Sequence, residues 1–352
     1  MNSETPSADE LVIVRRRGAI SNMDPSSACQ QGITLVTVSS GTNWRIMSLV
    51  AKTPRFIVSL LTQDNDYQVE QAAAAEEASR RLGVGVQVIY ADNDAILQSQ
   101  QILQFIQCDA AQRPDAIILE PVGATALPQV ARAAVDAGIA WVVLNRNVGY
   151  LSDLRRRFPD GLVFGLAADN KEVGRIQGQQ FAALLPKGGS VLYIQGPSES
   201  ETAQFRSAGM YETKPANVLL KMIRGHWTEA SAFKTITSWL LLTTSQRSQM
   251  DIIAAQNDAM ALGAKKAFRE IVDTDLRDHW SKLPFLGVDG VPKTGQAWVR
   301  TGMLKATVVT PPLAGQALEM LAESLRTHRR PQELTLVAPH SYPTLESLAA
   351  PS

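Results

Sequence analysis

Short apolar runs alternate along most of the chain with longer stretches in which apolar residues recur at helical spacing. From Arg55 onward the alternation is continuous, and it is typical of parallel βαβ units. The first part predicts strands at Phe56–Leu61, Gly85–Tyr90, Ala116–Leu119 and Ala140–Leu144, with helices over 69–82, 95–108 and 127–137. Because these strands are apolar throughout, we expect helices on both faces of the sheet.

The same alternation restarts after the loop at Arg155–Arg157. It predicts further strands at Leu162–Gly165, Ser190–Ile194, Val218–Lys221, Asp251–Ala255, Phe285–Val288 and Ala306–Val309. The fold class that follows is α/β, with two doubly wound parallel-sheet lobes. Residues 1–53 differ from the rest, since they are rich in Ser and Thr and contain one strand-like run, Ile33–Val38. We interpret them as an N-terminal extension of unknown role.

Composition narrows the possible partners. The 352 residues are 45% hydrophobic, which is enough for two domains with cores of their own. Lys and Arg together number 34, and Asp and Glu together also number 34. The chain therefore has no overall positive charge that would favour binding to nucleic acid. No apolar stretch approaches the ~20 residues of a membrane helix. Cys29 and Cys108 are too few for a disulfide framework and lack zinc-site spacing.

The N-terminus shows no pattern of an export signal. Such a signal has basic residues ahead of an apolar core of roughly 7 to 15 residues. Here the apolar run Leu11–Val14 is short, and the basic residues Arg15–Arg17 follow it. This pattern favours either a cytoplasmic chain or a start that differs from the natural one.

Polar side chains follow the predicted strands in both halves, and ligands of doubly wound sheets bind beyond the carboxyl ends of strands. Their carboxylate, amide and guanidinium groups match the donors and acceptors of sugar hydroxyls. Tyr67 and Trp227 could cover the apolar face of a sugar ring. The residues at these ends are Asp64, Asn65, Tyr67, Asn145, Arg146, Gln256, Asn257, Asp258 and Asp289.

Three segments carry a family resemblance. They are Ala137–Arg146 (AGIAWVVLNR), Ala255–Ala264 (AQNDAMALGA) and Gly287–Gly290 (GVDG). With them the chain resembles, over about residues 54–348, the ribose- and galactose-binding periplasmic receptors of ABC transporters, which have the type I periplasmic binding fold. The resemblance implies a three-segment hinge with crossings near residues 166, 311 and 338. The N-terminal lobe would then be 54–166 plus 311–337, and the C-terminal lobe 167–310 plus 338–352.

The resemblance also implies a set of ligand-binding residues by matched position. They are Asn65, Tyr67, Asn145, Arg146, Gln204, Trp227, Asn257, Asp289 and Thr310. The chain departs from the ribose-binding pattern at several of these positions. The family usually has Asp where Asn145 stands, often Arg where Gln204 stands, an aromatic residue where Gln68 stands and Gln where Thr310 stands. These differences put ribose itself in doubt, although not the receptor role.

Each candidate also has a purely structural interpretation. Asp258 precedes an Ala-rich helix and is more simply explained as its N-cap than as a ligand contact. Asn257 and Asp289 could shape turns, Arg146 could form a surface ion pair, and Trp227 could belong to the core.

The remaining function classes find less support. No nucleophile elbow, P-loop or dinucleotide motif is present, and His226, His279, His328 and His340 lack metal-site spacing, so we expect no enzyme, cofactor or metal. Residues 1–53 do not have the pattern of a helix-turn-helix domain. The resemblance implies a monomeric periplasmic receptor that closes around a sugar-like ligand and contacts an ABC permease or chemoreceptor. A cytoplasmic or chemosensory ligand sensor with the same core is the alternative.

Overall fold

The computed structural model describes residues 12–14, 20–22, 53–123, 127–242, 245 and 249–350. Strands β1 (Val12–Val14) and β2 (Ile20–Asn22) form a short antiparallel pair. Cys29 and the predicted strand Ile33–Val38 lie outside the described residues. The chain from Arg55 onward forms a unit of its own, which contains two six-stranded sheets.

The first lobe is built on a fully parallel sheet. Its strands are β3 (Arg55–Leu60), β4 (Gly85–Tyr90), β5 (Ala116–Leu119), β6 (Ala140–Leu144), β7 (Val163–Ala168) and β13 (Leu334–Val337), in the order β13-β7-β6-β5-β3-β4. Helices α1 (Asp66–Leu82) and α11 (Leu313–Thr327) pack on one face. Helices α2 (Ala95–Gln107), α3 (Pro128–Asp136) and α4 (Tyr150–Arg157) pack on the other. Both faces are covered, as the apolar strands predict.

The second lobe repeats this plan with one antiparallel strand at its edge. Its strands are β8 (Gly189–Gln195), β9 (Val218–Arg224), β10 (Ile252–Ala255), β11 (Phe285–Asp289), β12 (Ala306–Val309) and β14 (His340–Tyr342), in the order β14-β12-β11-β10-β8-β9. Its helices are α5 (Asn170–Leu184), α6 (Glu201–Thr213), α7 (Glu229–Leu240), α8 (Asp258–Arg269), α9 (Thr274–Lys282), α10 (Gly295–Arg300) and α12 (Leu345–Ala349). The predicted α/β class with two doubly wound lobes is confirmed.

The chain passes between the two sheets after β7, after β12 and after β13. The predicted division at residue 166 falls inside β7. Ala167 and Ala168 pair with Leu336 and Val337 in the first sheet, so they belong to the first lobe. Strands β13 and β14 were not predicted, because each has three or four residues and is only partly buried, so neither shows a long apolar run.

Helix α1 begins three residues before its predicted start. The side-chain Oδ1 of Asn65 accepts hydrogen bonds from the backbone N–H groups of Tyr67 (3.0 Å) and Gln68 (3.3 Å), which caps the helix. The polar first turn concealed this start in the hydrophobic pattern. The helix ends at Gly83, whose φ of +68° suits glycine.

Helices α5 and α6 pack in close backbone contact because glycine stands where they meet. A Cβ atom on Gly174 would lie 2.0 Å from the carbonyl oxygen of Arg206, and one on Gly209 would lie 1.8 Å from that of Lys171. Such distances are impossible without moving a helix. This packing therefore fixes the position of α6 and of Arg206 on it.

We expect Gly174→Ala to destabilise the second lobe by roughly 1–3 kcal/mol or more, since the new methyl group overpacks backbone against backbone. Thermal denaturation should show a lower midpoint, at about 2–4 °C per kcal/mol. Gly149→Ala is the matched control, because nothing lies within 4 Å of a Cβ there and its φ of −61° suits alanine. Equal midpoints for Gly174→Ala and the unchanged protein would contradict this account of the packing.

Candidate ligand-binding cleft

A cavity of about 160 Å³ lies between the two lobes, beyond the carboxyl ends of their strands. Most of its walls come from loops that directly follow strands, as doubly wound sheets require. The first lobe contributes Leu61, Thr62, Asn65, Tyr67, Gln68, Asn93, Asn145, Arg146 and Ala168, and the second contributes Asn170, Thr202, Arg206, His226, Trp227, Thr228, Asn257 and Asp289.

Tyr67 and Asn145 form one wall of the cavity in the first lobe. The Tyr67 hydroxyl donates to the backbone oxygen of Pro311 at 3.3 Å. Burial raises the pKa of Tyr67 far above its ordinary value, so the hydroxyl remains neutral and keeps its proton. Asn145 has a φ of +56°, and its Nδ2 donates to Glu120 Oε2 at 3.0 Å. The Asn145 side-chain oxygen is consequently left as an acceptor.

Glu120 is a buried carboxylate behind this wall. Its Oε2 also accepts from Gln68 Nε2 at 2.8 Å, so two amides share one carboxylate oxygen. The side chain is 6% exposed and does not line the cavity. Glu120 therefore orients Gln68 and Asn145 and does not itself face a ligand.

The guanidinium of Arg206 lies in the wall contributed by the second lobe. Its Nε donates to Asn170 Oδ1 at 3.0 Å, and its Nη1 donates to the backbone oxygen of Gln256. The group also lies 5.8 Å from the ring centroid of Trp227. Arg206 is 7% exposed, so these contacts hold a positive charge away from bulk water.

Asp289 faces Arg206 across the cavity wall. Its Oδ1 is 3.8 Å from Arg206 Nη1, which is an ion pair without a close hydrogen bond. Burial raises the pKa of Asp289 to about 7, Arg206 opposes that rise, and the carboxylates of Glu120 and Asp66 add to it. Asp289 can therefore be present as either acid or carboxylate near neutral pH.

Asn257 is the N-cap of α8. Its Oδ1 accepts from the Met260 backbone N–H at 2.9 Å, and its Nδ2 donates to the Trp227 backbone oxygen at 2.8 Å. The predicted capping role of Asp258 is thus wrong by one residue. Asp258 instead accepts from Gly290 N (2.8 Å) and Thr307 Oγ1 (2.7 Å) below the cavity, and burial raises its pKa.

Among the described residues, two side-chain hydrogen bonds cross the cleft from lobe to lobe. Arg146 Nη1 donates to Thr202 Oγ1 at 3.0 Å, and Asn65 Nδ2 lies 3.5 Å from the Trp227 backbone oxygen. Arg146 Nε is buried and has no acceptor. Both crossing contacts involve side chains that line the cavity.

Seven of the nine predicted site residues line this cavity, and two do not. Gln204 is exposed on α6, where its Nε2 donates to the Ser198 backbone oxygen (2.8 Å), and it borders a neighbouring groove. Thr310 is 3% exposed, and its Oγ1 is buried without a partner, so it lies below the surface of the cavity. Both positions had been assigned by matching to the family pattern.

Arg206 is the arginine of the cavity that sequence reasoning missed. The expected guanidinium was placed at position 204, two residues too early. Helical spacing contained the signal, because Arg206 lies on the buried face of α6 with Ala203 and Met210. An arginine on such a face needs polar partners or a ligand.

Neither a membrane-spanning helix nor a metal cluster is found in the part of the chain that the structure describes. None of its helices is long and apolar enough to cross a bilayer. No group of three or more His, Cys, Asp or Glu side chains there could hold a metal ion.

We expect Asp289→Asn to stabilise the protein at high pH. In the unchanged protein, the folded-state pKa of Asp289 is raised above the unfolded value of about 3.9. The unfolding free energy therefore falls as pH rises from ~4 to ~7, and the loss is complete above that window. From pH 5 to pH 8, the difference in unfolding free energy between the variant and the unchanged protein should grow by on the order of 1–4 kcal/mol in favour of the variant. Urea unfolding at both pH values measures this gain. The Asp289 charge also raises the pKa of Asp258, so its removal lessens the loss of stability from Asp258 at high pH and adds to the gain in the same direction. A pH-independent difference would contradict the assignment.

Comparison with known proteins identifies the family. The model of the periplasmic binding protein domain matches residues 56–328. A putative rhizopine-binding protein of Rhizobium meliloti is 26% identical over 230 residues, which cover 64% of this chain and 70% of that protein. The ribose import binding protein of Bacillus subtilis is 24% identical over 287 residues, covering 80% and 84%.

Solved structures show the same fold. The crystal structure of a galactofuranose binding protein is 21% identical, with a TM-score of 0.69 over 84% of this chain and 96% of that one. A Caulobacter myo-inositol binding protein bound to myo-inositol is 22% identical, with a TM-score of 0.67 over 84% and 94%. With a family match over residues 56–328 and this fold, the chain belongs to the periplasmic binding protein family.

Proposed function

We propose that this chain is a receptor that captures a sugar or sugar derivative in the cleft between its lobes and delivers it to an ABC transporter. The observation that carries the proposal is the polar cavity at the facing strand ends of both sheets. The members of the family are binding proteins, and related proteins are named for ribose, galactofuranose and xylitol.

The groups in the cavity suit a polyhydroxylated ligand. Each hydroxyl donates one hydrogen bond and accepts two, so a site for it needs carboxylate or amide acceptors beside cationic donors. Asp289 and the Asn145 oxygen are the acceptors, while Arg146 and Arg206 are donors. Trp227 provides an aromatic surface for the C–H groups of a ring.

We propose Asn65, Tyr67, Asn145, Arg146, Arg206, Trp227, Asn257 and Asp289 as the ligand-binding set. Asn65 and Asn257 already cap helices, so their contribution is mainly to hold the loops in place. Gln204 and Thr310 are left out of the set because neither side chain reaches the cavity.

The binding mechanism that we propose is closure at the three crossings between the lobes, with residues 1–53 as an extension to the lobes. The lobes would comprise about 54–168 plus 311–337 and about 169–310 plus 338–352. Because the two side-chain contacts across the cleft are single hydrogen bonds, they favour closure only weakly. The ligand shifts the equilibrium through its greater affinity for the closed form.

The partners follow from this role. A closed receptor presents the rims of both lobes together, and we propose that an ABC permease recognises that surface, with a chemoreceptor as a further partner. The receptor would act as a monomer in the periplasm, without a cofactor and without catalysing a reaction. Affinity for the permease should therefore depend on the ligand.

We expect Asp289→Ala and Arg146→Ala each to weaken ligand binding by more than about tenfold, since each leaves ligand groups unpaired in a closed cavity. A thermal-shift screen of sugars, polyols and sugar acids finds the ligand, because binding to the native state raises the melting midpoint. Isothermal titration then measures the affinities.

Arg156→Ala is the control, since Arg156 is exposed, pairs with Asp153 on α4 and lies outside the cavity. Unchanged affinity in both cavity variants, with the fold intact, would show that the ligand binds elsewhere.

A further inference from the structure

We propose that the ligand is an anionic sugar, a polyhydroxylated molecule that carries a carboxylate. This inference rests on the proposed function and names the ligand class for the same cleft. It follows from the balance of charges in the cavity wall and from the way each charge is paired.

The cavity wall contains more positive than negative groups. Two guanidinium groups line it, those of Arg146 and Arg206, and only one carboxylate lines it, that of Asp289. The remaining polar lining side chains are amides, hydroxyls, an exposed imidazole at His226 and the indole of Trp227. A neutral ligand would leave one guanidinium without a counter-charge inside the closed cleft.

Arg146 is the cation that lacks a counter-charge. Among the residues that the structure describes, no carboxylate oxygen lies within the 4.0 Å of an ion pair from its guanidinium. Its one side-chain partner is the neutral hydroxyl of Thr202, and its Nε is buried with no acceptor. Removing such a group from water without a partner costs free energy, which a ligand carboxylate would offset.

Two other carboxylates near the cleft, those of Glu120 and Asp258, are already engaged. Glu199 and Glu201 line a neighbouring groove together with Arg146, but in the described part of the chain neither comes within ion-pair distance of it. Glu120 accepts from Gln68 and Asn145 on the far side of the wall. Asp258 accepts from Gly290 N and Thr307 Oγ1 below the cavity. Neither side chain lines the cavity, so neither meets Arg146 there.

Asp289 strengthens this imbalance. Burial raises its pKa to about 7, so near neutral pH a substantial fraction of the side chain is uncharged. In that state Asp289 can donate a hydrogen bond to a ligand carboxylate instead of repelling it.

The size of the cavity fits a single sugar-acid unit. A volume of about 160 Å³ holds on the order of ten waters at ~10–15 Å³ each, which is close to the dozen or so non-hydrogen atoms of a hexuronate. The guanidinium fork of an arginine matches a carboxylate in geometry as well as charge. A single ring with one carboxylate therefore satisfies both the space and the charge.

The test compares sugars with the uronic acids that have the same ring: D-galactose with D-galacturonate, D-glucose with D-glucuronate and D-mannose with D-mannuronate. Isothermal titration at pH 7 and constant ionic strength measures each affinity on the full chain. We expect at least one acid to bind at least tenfold more tightly than its neutral partner.

Variants of Arg146 test whether its charge gives this preference. We expect Arg146→Gln to weaken binding of the preferred acid at least tenfold and of the matched neutral sugar less than threefold, so that the preference is lost. Arg146→Lys should retain most of the preference because it retains the charge. Arg156→Gln, on the exposed face of α4, is the matched control, and melting midpoints show whether each variant is folded.

The outcomes separate the two proposals. If neutral sugars bind as tightly as their acids or more tightly, the inference of an anionic ligand is wrong and the receptor role stands. An equal loss for acid and neutral sugar in Arg146→Gln would likewise overturn charge recognition by Arg146. If no sugar, polyol or acid binds at all, both proposals fail.

Discussion

The cleft depends on ionisable side chains that are buried or partly buried before any ligand arrives. Arg206 and Asp289 face each other at 3.8 Å, too far apart for a close hydrogen bond, and Arg146 has no carboxylate partner in the described part of the chain. Incomplete pairing of buried charge is unfavourable for the empty, closed form. The same groups favour closure once a ligand completes their hydrogen bonds, so affinity and closure have one physical origin.

The scaffold around these charges leaves them little freedom. Asn65 and Asn257 cap the helices that begin at the cavity wall, and both reach the backbone oxygen of Trp227. Glycine at the α5–α6 contact holds the helix that carries Arg206 against its neighbour. Asn65, Asn145, Asn257 and Arg206 are therefore positioned by a cap, a close backbone contact or a buried amide network.

Much of this arrangement could be predicted from the pattern of apolar runs. Buried strands such as Ala116–Leu119 and Ala140–Leu144 matched the structure residue for residue, because short, fully apolar runs are typical of a parallel sheet covered on both faces. Because these strands could be located, the rule that ligands bind beyond strand ends also selected Asn145 and Asp289. The predicted fold and the predicted family are confirmed.

The rest depended on packing that the sequence does not display. The role of Glu120 could not be predicted, since it depends on two amides that approach from other elements. Arg206 was missed because family matching placed the guanidinium at position 204 on the exposed side of α6, and a shift of two residues, about 200° around a helix, leads to the buried side. Strands β13 and β14 are too short to leave a periodic signal.

The crossings have a consequence for how the chain is made. The core between α1 and the first sheet includes Leu313, Leu318 and Leu321 of α11, and the edge of that sheet is β13. A growing chain therefore cannot complete the first lobe until the residues of β13 have left the ribosome, after nearly all of the second lobe has been synthesised. The lobe that begins first along the chain is left with one apolar face only partly covered, by α1, for most of translation.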